Sequence, residues 1–144
     1  MLKYDGLGWG DAEIEQLARV IDAVAEPIAA TDEGARRHSR RAADLNELYL
    51  KDNAFGDAAA RTLLDAAAKL RGLTWLNLSG NACLGDDAFA HLATLLGSNR
   101  LNFKRLREVR LIGTSAGAVA ISNLEKACAA RKVQLKTAVE ALSA

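Results

Sequence analysis

The chain has 144 residues, 50% of them hydrophobic and 26% charged, with a formal net charge of +1. This is enough apolar material for the core of one compact domain, and near-neutrality excludes a global field that would draw the chain to nucleic acid or membrane. No apolar run approaches the length of a transmembrane span, and the first residues lack the charged-then-apolar pattern of a secretory signal. The expected address is cytoplasmic, with a mitochondrial or other organelle interior as the alternative. Cys83 and Cys128 have no C-x-x-C spacing, and His38 and His91 do not stand at ligand spacing. Both cysteines are therefore read as small buried hydrophobes, both histidines as solvated, and neither metal nor cofactor is expected.

In chain order, Leu2 and Tyr4 occupy strand positions, and Gly10-Asp11 opens a helical pattern through Val24. Glu26-Pro27 ends it, and an insert over 26–44 follows, read as an exposed loop or short extra helix. Three segments then align: Leu45 to Asn53, Leu73 to Asn81 and Leu106 to Thr114. In each, alternation across Leu48 and Leu50, Leu76 and Leu78, or Val109 and Leu111 has the period of a strand burying one face. The helices superimpose on four apolar columns. These are Ile14, Ala60, Phe89, Ile121; Leu17, Leu63, Leu92, Leu124; Val20, Ala66, Leu95, Ala127; and Ile21, Ala67, Leu96, Cys128. That spacing is one face of a helix. Gly10-Asp11, Gly56-Asp57 and Gly85-Asp86 read as helix starts with an N-capping aspartate.

The pattern L-x-x-L-x-L-x-x-N, carried by Leu45 to Asn53 and Leu73 to Asn81, resembles the leucine-rich repeat. Steps of about 28 residues and alanine-rich helices are similar to its ribonuclease-inhibitor-like subclass. Thr114 and Leu7 depart from the asparagine in the last and first units. The resemblance implies an α/β fold: a short right-handed solenoid of about four β–α units, with a parallel sheet on the concave side and helices on the convex side. The units are expected at about 1–25, 45–72, 73–105 and 106–135 of a single domain, with the basic insert at 26–44 and a helical C-terminal cap at 136–144.

Two surfaces are candidates for binding. Leucines turned inward leave Glu47, Tyr49, Lys51, Trp75, Asn77, Ser79, Glu108 and Arg110 on the concave face, together with Lys3, Asp5 and Ile112. The resemblance implies that this face binds a protein, with Trp75 and Tyr49 as anchors. The competing reading is that Trp75 lies on neighbouring side chains such as Tyr49 or Arg110. The second surface is the helix-to-strand edge, where Arg36, Arg37, Arg40, Arg41, Arg71, Arg100, Lys104, Arg105, Arg131 and Lys132 fall. Asp11, Asp52, Asp57, Asp86 and Asp87 fall on the opposite edge. Acids at helix starts and bases at helix ends complement the helix dipole, which accounts for much of this separation. The crowded arginines of the insert are read as solvated surface, as a contact for an acidic protein, RNA or anionic lipid, or as a regulatory tract with Ser39 as phosphoacceptor. Absence of aromatic residues among the arginines argues against nucleic acid as the main partner.

No catalytic constellation emerges. Gly113 to Ala118 lacks the lysine of a phosphate-binding loop and aligns with the turns of its sister units, and the serines have no histidine and carboxylate partners. The expected function is a non-enzymatic protein-interaction module. The alternatives are a permanent accessory subunit of a large complex, mitochondrial or cytoskeletal, and a regulator of a small GTPase or other enzyme, the latter implied by the repeat family.

Overall fold

A computed structural model describes residues 2–25 and 45–137. The insert, with Arg36, Arg37, Ser39, Arg40 and Arg41, lies outside the described residues, as does most of the expected cap.

The described chain is an α/β structure with a five-stranded parallel sheet in sequential order and four helices. The strands are β1 (Leu2–Lys3), β2 (Glu47–Tyr49), β3 (Trp75–Asn77), β4 (Glu108–Arg110) and β5 (Gln134–Lys136). The helices are α1 (Asp11–Ala25), α2 (Asp57–Ala67), α3 (Asp86–Ser98) and α4 (Ala118–Ala130). Adjacent strands pair in the expected register, Leu2 opposite Leu48, Leu48 opposite Leu76 and Leu76 opposite Val109, and a further strand not expected from the sequence sets Leu135 opposite Val109. The fifth strand ends at Lys136, and the expected helical cap lies outside the described residues apart from 136 and 137. The backbone of β5 continues the ladder, with the Gln134 N–H reaching the Arg107 carbonyl at 2.7 Å.

A single core forms between the inward strand residues and the apolar helix columns. Leu48, Leu50, Leu76, Leu78, Val109 and Leu111 are buried with Ile14, Leu63, Leu64, Phe89, Leu92, Leu124 and Cys128. Burying a leucine or phenylalanine side chain is worth roughly 1.5–3 kcal/mol, so this spine is the main stabilising term. In the helix columns Val20 departs from the expected core: it is 55% exposed, because α1 has a helix neighbour on one side only among the described residues.

Polar side chains tie each unit to the next. Buried Asn81 accepts the Asn53 N–H at 3.0 Å and donates to the carbonyls of Leu50 and Leu78 at 2.9 and 2.8 Å. Asn53 does the same one unit earlier, accepting the Leu7 and Trp9 N–H groups and donating to the Tyr4 carbonyl. The aspartates differ from expectation. Gly56 and Gly85 are the N-caps, with extended backbone, and Asp57 and Asp86 are the first helical residues. Their carboxylates make no cap bond within their own helices but reach forward. Asp11 accepts the Gly56 N–H, Asp57 the Gly85 N–H and Asp86 the Gly117 N–H, each at 2.7 Å.

Gly80 shows how closely the units approach. Its φ is +74°, and a Cβ there would fall 1.9 Å from Asp52 Oδ1 in the preceding turn. Only glycine meets both conditions.

Candidate functional site

The outward residues of the strands carry the first candidate surface. Glu47, Tyr49, Trp75, Glu108 and Arg110 flank the buried leucines and are half-buried, and Lys51 is exposed. They form a connected cluster. The Arg110 guanidinium lies 4.7 Å from the Trp75 ring centroid, and its Nε donates to Glu108 at 2.6 Å. The Tyr49 ring stands 6.4 Å from Trp75 at a 36° tilt. Trp75 thus rests on Tyr49 and Arg110, the arrangement that the second sequence reading named. Its Nε1 is buried and has no acceptor among the described residues. Burial, then the negative Glu47 and Asp5, push the Tyr49 phenol above its ordinary value, with Arg110 opposing.

Asn77 and Ser79 do not join this surface as expected, because they are buried to 9% and 5% exposure. The regular ladder ends at Asn77, and backbone donors beyond it need acceptors. Asn77 Oδ1 accepts the Ser79 N–H and Ser79 Oγ accepts the Ile112 N–H, each at 3.0 Å. Lys51 is anchored through its backbone, donating its N–H to Asp5 at 2.7 Å.

The second surface is the helix-to-strand edge. Arg100, Lys104 and Arg105 are exposed there, as expected. A groove of about 660 Å³ opens between successive returns, lined by Lys104, Arg105, Arg107, Arg131 and Lys132 with Asn46 and Thr74 among its uncharged residues. Among the described residues no carboxylate lines it. Arg107 was not singled out from the sequence; its adjacency to Arg105 ahead of a strand was the available signal.

The return over 99–105 is braced from both sides. Fully buried Phe103, in left-handed conformation at φ 51°, donates its N–H to the Ala68 carbonyl of the preceding unit at 2.9 Å. From the following unit, Arg131 donates to the carbonyls of Leu96 at 2.8 Å and Asn102 at 2.7 Å, with a longer bond to Phe103 at 3.2 Å. Arg131 is therefore engaged with backbone, while Lys104 and Arg105 project from a fixed loop.

The cysteines divide. Cys128 is buried, and burial, assisted by Glu125, pushes its thiol up to about 11. Cys83 is exposed, correcting its reading as a core residue. Its turn holds one residue more than the sister turn after Asn53, and Leu84 fills the buried place that Phe55 takes there. His91 is not simply solvated, since its Nε2 lies 2.6 Å from Asp65 Oδ1. Among the described residues no cluster of His, Cys, Asp or Glu is arranged to hold a metal, and no helix is long and apolar enough to cross a membrane.

Compared with known proteins, the chain matches no protein-family model and no curated sequence.

Proposed function

We propose that this chain is a short leucine-rich repeat solenoid, right-handed with a concave strand face, that acts as a non-enzymatic protein-interaction module. The observation that carries the reading is the Tyr49–Trp75–Arg110 cluster, which spans three adjacent strands on the face turned away from the helices. Aromatic rings with an arginine beside them are the side chains that most often dominate interface energies. The orphaned Trp75 Nε1 fits the same reading. A partner that brings an acceptor to this N–H satisfies a donor that is unpaired among the described residues.

The test is recovery of the full chain with its bound proteins from native extract, repeated with Trp75→Ala and Arg110→Ala. A stoichiometric partner retained by the parent chain should be lost from both variants. Loss of a hot-spot side chain costs about 2 kcal/mol or more, roughly thirty-fold in affinity. Circular dichroism must show both variants folded. Retention of the partner by both folded variants, or the absence of any stoichiometric partner, overturns the reading.

A second reading, permanent membership of a larger complex, is favoured by Val119, a large apolar side chain 75% exposed on α4. It expects the partner to stay bound through size-exclusion chromatography at high dilution, where a reversible adaptor separates.

A further inference from the structure

We propose that the groove between the helix-to-strand returns is a binding site for a compact polyanion carrying two or more phosphoryl groups. This site is separate from the strand-face cluster, and the inference does not depend on the protein-binding reading.

The charge argument comes first. Lys104, Arg105, Arg107, Arg131 and Lys132 converge on one cavity with no carboxylate of the described residues in its lining. The ion pairs of the described residues lie elsewhere, at Lys69–Asp22, His91–Asp65 and Arg110–Glu108. Like charges held around a concave surface repel one another, and a bound anion relieves that repulsion. The helix dipole explains bases at helix ends but does not reach Arg105 and Arg107, which stand well past the end of α3 and directly before β4.

The second argument is preorganisation. The return is held to the preceding unit through its own Phe103 and to the following unit through Arg131, so Lys104 and Arg105 are presented by a loop whose ordering cost is already met in the unbound protein. Lys132 adds an independent sign. It occupies the left-handed position after α4 at φ 58°, with the Val133 N–H bonded to the Cys128 carbonyl and its own N–H to Ala129, a helix ending in which glycine is the usual residue. A lysine there carries a conformational penalty and supplies a charge to the groove.

Shape and lining select the ligand. A volume of about 660 Å³ suits a small molecule, within the roughly 300–1,000 Å³ of ordinary ligand sites. Among the described residues no aromatic ring lines the groove, so a nucleobase finds none of them to stack on. The guanidinium forks of Arg105 and Arg107 match paired phosphoryl oxygens, and the lysines add point charges. Arg131 contributes charge but, with its N–H groups on carbonyls, serves as a positioning residue. A free polyphosphate and a phosphorylated lipid headgroup share this chemistry.

Calorimetric titration of the full chain with inorganic phosphate and with tripolyphosphate tests the proposal. Tripolyphosphate should bind about tenfold or more tightly than phosphate, and Arg105→Glu should weaken it by about tenfold, the scale of one charge-assisted contact. Lys132→Gly is the decisive variant, because it should weaken tripolyphosphate binding several-fold without lowering the melting temperature. Arg19→Glu, the same charge change on exposed α1, should leave binding unaltered. Phosphatidylcholine vesicles with and without a bisphosphorylated phosphoinositide then separate the sources: co-sedimentation only with the phosphoinositide assigns the site to a lipid headgroup, and none assigns it to a soluble polyphosphate. Equal affinity for phosphate and tripolyphosphate overturns the proposal. So does an equal loss in Arg19→Glu and Arg105→Glu, or a polyglutamate peptide of matched charge binding as tightly as tripolyphosphate.

Discussion

Replacing Asn81 with alanine measures how much of the stability resides in the bonds between units. Asn81 is completely buried and makes three good bonds to backbone, at 2.8, 2.9 and 3.0 Å, two of them to the preceding unit. Alanine removes all three and leaves the Asn53 N–H and the carbonyls of Leu50 and Leu78 without this partner. At about 1 kcal/mol net per bond, and about 1–3 kcal/mol for a buried group left unpaired, the expected loss is about 3–5 kcal/mol. Domain stabilities are about 5–15 kcal/mol, so this is a large fraction, equivalent to a fall of about 10–15 °C in melting temperature at this chain length. Urea unfolding followed by tryptophan fluorescence and circular dichroism reads it directly. Asn81→Asp adds a sign test. The carboxyl keeps the acceptor for Asn53 but sets a second oxygen against two carbonyls, so the folded state favours the protonated acid and raises its pKa above the ordinary unfolded value of about 3.9. The folded state then binds more protons than the unfolded one, and stability falls as pH rises from below that value through the folded pKa. A loss of under about 1 kcal/mol in the alanine variant, or pH-independent stability in the aspartate variant relative to the parent, refutes the reasoning.

Asp57→Ala deletes the acceptor of the Gly85 N–H and an acid at the start of α2, and should cost about 1–3 kcal/mol in the same assay. Arg131→Ala should cost about 2–3 kcal/mol and speed amide hydrogen exchange at 101–103, because the carbonyls that it bridges lose their common donor. Iodoacetamide at neutral pH should label exposed Cys83 in the native protein and reach Cys128 only on unfolding. The raised Cys128 thiol also has a sign. The folded state holds its proton to about 11, against 9.0 for the free thiol, so its contribution is complete below pH 9 and is lost as pH rises towards 11. Cys128→Ala should flatten that part of the stability profile.

The strands and helices were legible because two periodicities repeat in phase, and Leu48, Leu76 and Val109 do stand opposite one another. The role of the aspartates was not. A carboxylate that caps its own helix and one that reaches the next unit leave the same column in a repeating sequence, since both recur once per unit. Only the last unit differs, where Ala118 replaces the aspartate and no described unit lies beyond to receive it. Asn77 and Ser79 were misjudged because alternation assigns a face but not an exposure. Small polar side chains at a strand end fold back onto N–H groups that the ladder leaves unmatched. For Cys83 the added residue in its turn shifts the register, so Leu84 takes the buried place.

The two ladders run in opposite senses, asparagine serving the unit before and aspartate the unit after, and both lie on the strand-to-helix side. The two inner turns on that side are bonded to both neighbours, and their lengths differ by one residue only, the turn after Asn81 being the longer. The helix-to-strand side carries no such ladder among the described residues, so returns there can lengthen without breaking a bond that the stack requires. Enlargement occurs where the constraint is absent, at 99–105, and what holds the enlarged return is local: a buried phenylalanine and one arginine from the next unit. The exposed cations of the return therefore occupy positions that the stack itself does not specify, and their convergence on one groove calls for a cause outside the fold's own stability.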